Sequence, residues 1–365
     1  MMEYIDEYRN PELVTNLLSA IKSISTREVK LMEVCGGHTM AIHKFGINNL
    51  LPKNIQLLSG PGCPVCVTDK KYIDQSIAYS RLPNVIITTY GDLIRVPGST
   101  STLDLEKAKG ADIRIVYSAT DALDLARANP LKKVIFLGIG FETTSPASAY
   151  CIKQAFKEHI QNFFLYSAHK IMPPALKLLA SGEIKIDGYI CPGHVSTITG
   201  SEIYEPLTKE NSISCVVSGF EPIDILQSIY MLVKQLENSE AKVEIQYKRA
   251  VQPQGNILAQ KILNEVFEPR DDWWRGFGII PASGLKIRAK YKLIDTEEVF
   301  KVNVEKTKID IGCICGDILK GLKKPYDCIL FGKSCQPFNP IGACMVSPEG
   351  SCHAFYKYGK VKIAK

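Results

Sequence analysis

The chain has no apolar run long enough to cross a bilayer, which excludes a helical membrane span. Its first ten residues, MMEYIDEYRN, are acidic and polar, so no secretory signal is expected there. There is no low-complexity tract and no long linker. Both GxGxxG and GxxxxGK(S/T) are missing, so the glycine turn GIGFETT resembles a phosphate-binding loop only loosely. Charge is ordinary, at 22% of residues with a modest net +6, and the lysines of 320–324 and 357–365 have no aromatic platforms between them. That pattern reads as solvated surface, and no nucleic-acid partner is expected. A hydrophobic content of 45% excludes global disorder, and 365 residues allow two or three domains. The expected location is the cytoplasm.

Cysteine, by contrast, is plentiful, with twelve in the chain. In a reducing compartment these are metal ligands or redox thiols more readily than structural staples. Six fall in the C-terminal segment: Cys313, Cys315, Cys328, Cys335, Cys344 and Cys352. Glycines and prolines interrupt that segment too often for regular helices, so another source of order is needed. The gaps are irregular and wide, unlike the CxxCxxC run of bacterial ferredoxins or the paired knuckles of a zinc ribbon. Four thiolates holding an iron–sulfur cluster fit best, with zinc as the alternative. Spacing leaves the ligand set open: Cys313 or Cys315, with Cys328, Cys335 and Cys352, and Cys344 in reserve.

Upstream, strand and helix patterns alternate. Residues 11–28 read as an amphipathic helix ending near Ser25, and the strand VKLMEVC runs into Cys35-Gly36-Gly37-His38 before a helix begins. IQLLS is a second strand, followed by GPGCPVC and a helix from Thr68 to about Leu82. NVIITTY and IRIVYSA are further strands, the latter followed by a helix capped by Thr120 or Asp121. KVIFLGIG, FFLYSAH, DGYICP and SCVVS continue the pattern, with helices between them. The fold class is therefore α/β, two domains of mostly parallel sheets flanked by helices, plus a smaller irregular C-terminal region. The soft boundaries fall near 125 and 240, giving 1–125, 126–240 and 241–365. From Lys286 to Val304 a charged, strand-like stretch is expected. In parallel sheets the carboxyl ends of strands carry the sites, and there the sequence places Cys35, Cys63, Glu142, His169, His194 and Glu221.

Cys63-Pro64-Val65-Cys66 is spaced to close a small disulfide, and a following helix would lower the first thiol's pKa through its dipole. The same spacing suits half of a zinc site, or an inert pair. Cys35 is either a buried small hydrophobe or, with two glycines opening space beside it and His38 three residues on, a ligand or nucleophile. Glu142 is a candidate charged group at a site rim. His169 and His194 could shuttle protons or bind metal, or be structural. Cys151 and Cys215 read as core.

Five segments together resemble the HypD family of [NiFe]-hydrogenase maturation proteins: MEVCGGHTMAIHKFGI, LLSGPGCPVC, GFETTSPASA, PGHVSTITG and DCILFGKSCQPFNPIGACMVSPEGSC. The resemblance runs from about residue 30 to 358. It implies two related α/β domains and a third carrying a [4Fe–4S] cluster. The implied task is assembly of an Fe(CN)2CO unit with a HypC-type chaperone and a HypE-type cyanide donor. Cys35 then becomes the iron ligand, and Cys63 and Cys66 become a thiol/disulfide pair that exchanges electrons with the cluster. His38 matches the motif histidine. Met40 stands where a second histidine is common, and Gln336 and His353 vary the cluster motif. Glu142, His194 and His169 would line the interdomain cleft, and the cluster region would fold back onto Cys63 and Cys66. Another reading is an iron–sulfur-dependent thiol–disulfide reductase acting on a protein partner, and a third is a nucleotide-binding α/β protein with structural zinc.

Overall fold

In the computed structural model, residues 6–308 and 310–359 are described. The remainder, including most of the 357–365 lysine run and the first five residues of the amino terminus, lies outside that range. Among the described residues there are eleven strands: β1 (Val29–Glu33), β2 (Ile55–Ser59), β3 (Val85–Thr89), β4 (Ile113–Ile115), β5 (Lys133–Gly140), β6 (Phe163–His169), β7 (Gly188–Pro192), β8 (Ser214–Ser218), β9 (Val243–Ile245), β10 (Phe267–Trp274) and β11 (Gly278–Ile287). They form a five-stranded sheet in the order β2-β1-β7-β8-β9, a four-stranded sheet β4-β3-β5-β6 and the hairpin β10-β11. Every pairing in the two larger sheets is parallel. The inner strands β3, β7 and β8, and the edge strand β6, are buried at every residue, as expected of strands covered on both faces.

Numbered from its own first strand, each sheet runs 2-1-3-4, and the larger adds a fifth strand. The two units are thus related in topology, but they are not successive in sequence. Strands β3 and β4, before residue 125, pair with β5 and β6 after it. The smaller sheet is inserted between β2 and β7 of the larger, so a boundary at 125 would cut through hydrogen-bonded strands. Periodicity reports each strand but is blind to which strand it pairs with.

Local chemistry explains most elements. The helix Pro11–Ile24 ends at Ser25, as expected, and its Asn10 cap accepts N–H groups from Glu12 and Leu13. The helix Ala119–Ala128 is capped by Ser118, with Asp121 returning the bond in a capping box, so the cap lies earlier than Thr120. The stretch from Lys286 is not a strand beyond Ile287. It coils into a 3-10 turn, Ala289–Ile294, and a short helix, Thr296–Val299, because the Asp295 side chain caps the N–H of Glu297 at 3.0 Å.

The C-terminal region has only short helical turns until Ser351–Tyr358. It does not form a core of its own. Cys315, Ile318, Cys344, Met345 and Cys352 belong to one apolar cluster with Met32, Leu58, Cys63 and Cys66. Among the described residues no helix is long and apolar enough to cross a membrane.

Candidate redox and metal-binding site

In the larger sheet, β1 lies between β2 and β7, where the chain reverses its direction of winding and a crevice opens beyond the strand ends. Four neighbouring strands deliver their loops there. GPGCPVC follows β2, CGGH follows β1, PGH follows β7 and GFE follows β8.

Cys35 caps the helix Gly36–Lys44 from an extended backbone (φ −145°). The next residue's N–H donates to the Gly62 carbonyl at 3.1 Å, tying the Cys35 turn to the CPVC loop. A Cβ on Gly62 would stand 2.4 Å from the Cys35 carbonyl carbon and from the Gly36 nitrogen, so only glycine permits this approach. The Cys35 thiol is pushed up to about 12 by burial and then by the Glu349 carboxylate, while the N–H groups of Gly37 and His38 act in the opposite direction. A metal entering here must therefore displace a proton. Glu33 closes the other side. It accepts the Thr39 hydroxyl at 2.6 Å and the Cys35 N–H at 3.3 Å, and burial raises it to about 8.

His38 is fully buried. Its Nε2 lies 2.9 Å from the Gly219 carbonyl and 3.3 Å from that of Ser218, and Nδ1 has no partner among the described residues. Burial lowers it to about 4, so the ring is neutral, with Nε2 donating and Nδ1 carrying a free lone pair. Phe220 stacks on His38 with ring centroids 4.7 Å apart and on His194 at 4.0 Å, so the two imidazoles flank one phenyl ring.

The Sγ atoms of Cys63 and Cys66 lie within bonding distance, their Cα atoms 5.2 Å apart. Cys63 Sγ also accepts the Cys66 N–H at 3.2 Å. The expected dipole of a long helix is missing. Pro64–Val67 is a single turn, and Lys70–Ser80 starts separately, capped by Asp69. Arg275 clamps the turn instead: its Nε donates to the Cys66 carbonyl and its Nη2 to that of Thr68, both at 3.0 Å, and its N–H donates to Val67 at 2.8 Å.

The C-terminal loops complete the surround. The turn Ala343–Met345 packs on the CPVC turn, and Glu349 packs against Gly36. Behind that turn, Cys313, Cys315, Cys328, Cys335 and Cys352 line one cavity walled by Ile318, Leu330, Phe331 and Met345. Gly342 leaves it open, since a Cβ there would lie 2.7 Å from Cys313 Sγ and 3.2 Å from Cys315 Sγ. The Ile341 N–H donates to Cys335 Sγ at 3.3 Å. Cys344 is not part of this lining. Among the described residues no three of these side chains yet stand as ligands of one ion. A set of soft thiols in an apolar shell, with an amide donor to sulfur and a glycine-made gap, fits an iron–sulfur group.

Glu142 follows β5 and His169 ends β6 in the smaller sheet, and β5 contacts the CPVC turn. Glu142 accepts the Met172 N–H at 2.9 Å through Oε1, and burial raises it to about 7. His169 Nε2 meets the Ser148 hydroxyl at 2.8 Å. No hydrogen bond among the described residues joins either to the Cys35 site. Glu221 is taken by a salt bridge to Arg9 at the surface. Sequence reasoning missed Phe220, Gly62, Glu33, Glu349 and Arg275. Only the last had a signal, in the WWRG that precedes a glycine turn.

The HypD model, described as the hydrogenase formation hypA family, matches residues 12–359. A putative hydrogenase expression/formation protein of Methanocaldococcus jannaschii is 46% identical over 96% of this chain and 98% of its own. The hydrogenase maturation factor HypD2 of Bradyrhizobium diazoefficiens is 44% identical over 99% and 98%, and HypD of Escherichia coli is 43% identical over 98% of each. With sequence similarity along its whole length and these strand-end loops in place, the chain belongs to the HypD family of hydrogenase maturation factors.

Proposed function

We propose that this protein is the scaffold on which the Fe(CN)2CO unit of a [NiFe] hydrogenase is assembled, with a small HypC-type chaperone and a HypE-type cyanide donor. The carrying observation is the junction at Gly36: its N–H is bonded to the CPVC loop and its Cα packs on Glu349 of the cysteine region. One point thus joins a lone thiol, a dithiol and a sulfur-lined cavity.

Cys35 is the ligand for the substrate iron, since a thiolate suits a soft, electron-rich metal. When iron binds, the thiol proton must leave, and Glu33 and Glu349 are the adjacent carboxyls. Neutral His38 offers its Nδ1 lone pair as a second acceptor near that turn. Cys63 and Cys66 store two electrons as a dithiol and release them on closing a disulfide. Cys328, Cys335 and Cys352, with Cys313 or Cys315, would hold a [4Fe–4S] cluster, which supplies one-electron steps when bound. The lone-thiol arrangement favours a scaffold over a simple reductase, which needs only the dithiol.

The test is Cys35→Ala in anaerobically purified protein with its small partner. Cyanide and CO infrared bands and the extra iron should disappear, while brown colour and Cys63/Cys66 titration persist. Bands retained in the variant would overturn the assignment.

A further inference from the structure

The cysteine region carries large apolar side chains on its outside as well as its inside. Ile311, Ile329 and Phe338 are 92, 72 and 80% exposed, whereas Ile318, Leu319, Met345 and Val346 in the same region are at most 2% exposed. Ile329 lies between Cys328 and Leu330, both of which line the sulfur cavity. A Cβ on Gly312 would lie 3.5 Å from Ile329 Cδ1, and Cys328 Sγ donates to the Gly312 carbonyl at 3.7 Å. The turns bearing Ile311 and Ile329 are therefore side by side. Phe338 stands on a loop pinned by the Gln336–Asn339 bridge, whose base is Cys335. Each exposed side chain belongs to a turn whose neighbouring residues wall the cavity.

The same turns carry more lysines than carboxylates. Asp310 is held by Lys70 and Arg275, Asp317 faces Lys323, and Asp327 accepts the Lys324 N–H. Lys324 and Lys333, exposed in the turns before and after Ile329, form no salt bridge among the described residues. A small apolar centre bordered by lysines without ion-pair partners is suited to brief encounters with an acidic partner, and not to a permanent interface.

We propose that this surface docks an acidic, low-potential one-electron carrier, an iron–sulfur or flavin protein, above the sulfur cavity. The inference rests on the redox role given to the cysteines under Proposed function. Two reduced carriers, each oxidised once, supply the two electrons that, with two protons, convert the Cys63–Cys66 disulfide into two thiols.

The experiment uses the full chain, purified anaerobically, with an acidic ferredoxin as probe and fluorescence anisotropy as readout. Binding at low salt should weaken about tenfold or more on raising salt to about 0.5 M. Ile329→Glu and the double variant Lys324→Glu/Lys333→Glu should each weaken it by about tenfold. Lys22→Glu, on the remote helix Pro11–Ile24, should leave it unchanged. Circular dichroism shows whether each variant is folded, and the lysine pair is at the surface, so it does not depend on core packing. Absence of binding at low salt, equal binding by the patch variants, or loss of the chaperone partner alone in those variants would overturn the proposal. A colourless preparation would instead sink the cluster assignment, and carrier binding can be read independently of colour.

Discussion

Glu142 shows how burial alone sets a residue's behaviour. It is 4% exposed, one carboxyl oxygen takes the Met172 N–H and the other has no partner among the described residues. Burial raises its pKa from the usual carboxylate range to about 7. A raised carboxyl contributes stability that is fully present below its unfolded value and is lost as pH climbs through the folded one. Between pH 5 and 8 the protein should therefore lose on the order of 2–3 kcal/mol at this residue. Glu142→Gln keeps the acceptor for Met172 and removes the titration. Denaturant midpoints should match wild type near pH 5 and exceed it at pH 8. Parallel pH profiles for the two proteins would rule out the buried-carboxyl account. The motif GFETT announced this glutamate, but only its place under the helix Met172–Ala180 revealed the burial.

At the scale of elements, the strand-end loops do the work that one long helix was expected to do. The CPVC turn has no extended helix dipole behind it, and its geometry comes from Arg275 on the hairpin and from Gly62 against the Cys35 turn. Gly62→Ala must displace backbone, since its nearest neighbours are main-chain atoms at 2.4 to 2.5 Å. It should cost about 3 kcal/mol or more, or shift the Cys35 turn away from Cys63. Thermal unfolding measures the first outcome, and the rate of Cys63/Cys66 oxidation the second. A variant unchanged in both would mean the two loops are not mechanically joined. The strands VKLME, IQLLS and VIITT were legible as short, mostly apolar runs, and VIITT, buried at every residue, carries no charge. The stretch after Lys286 was misleading, because its alternating charge imitates a strand while Asp295 starts a helix.

For the molecule as a whole, the cysteine region shares its apolar core with β1, β2 and the CPVC turn, so losing whatever its thiols hold should be felt throughout. Stripping metal from anaerobic protein with a chelator is expected to lower Tm by several degrees and to expose amides of the CPVC turn to hydrogen exchange. An unchanged melt would show that the cavity packs without a metal group. The sequence by itself determined the α/β class, the strand-end placement of Cys35, Cys63 and His194, and the clustering of thiols near the carboxyl end. These are local properties, written in hydrophobic period, turn residues and spacing. Only the tertiary structure decided that one sheet is inserted within the other, and that Phe220 separates His38 from His194. It also decided that Cys344 stands outside the sulfur lining, and that Glu142 is buried. Those facts depend on contacts between residues far apart in the chain, fixed by strand pairing and the filling of a shared core, which spacing along the chain does not encode.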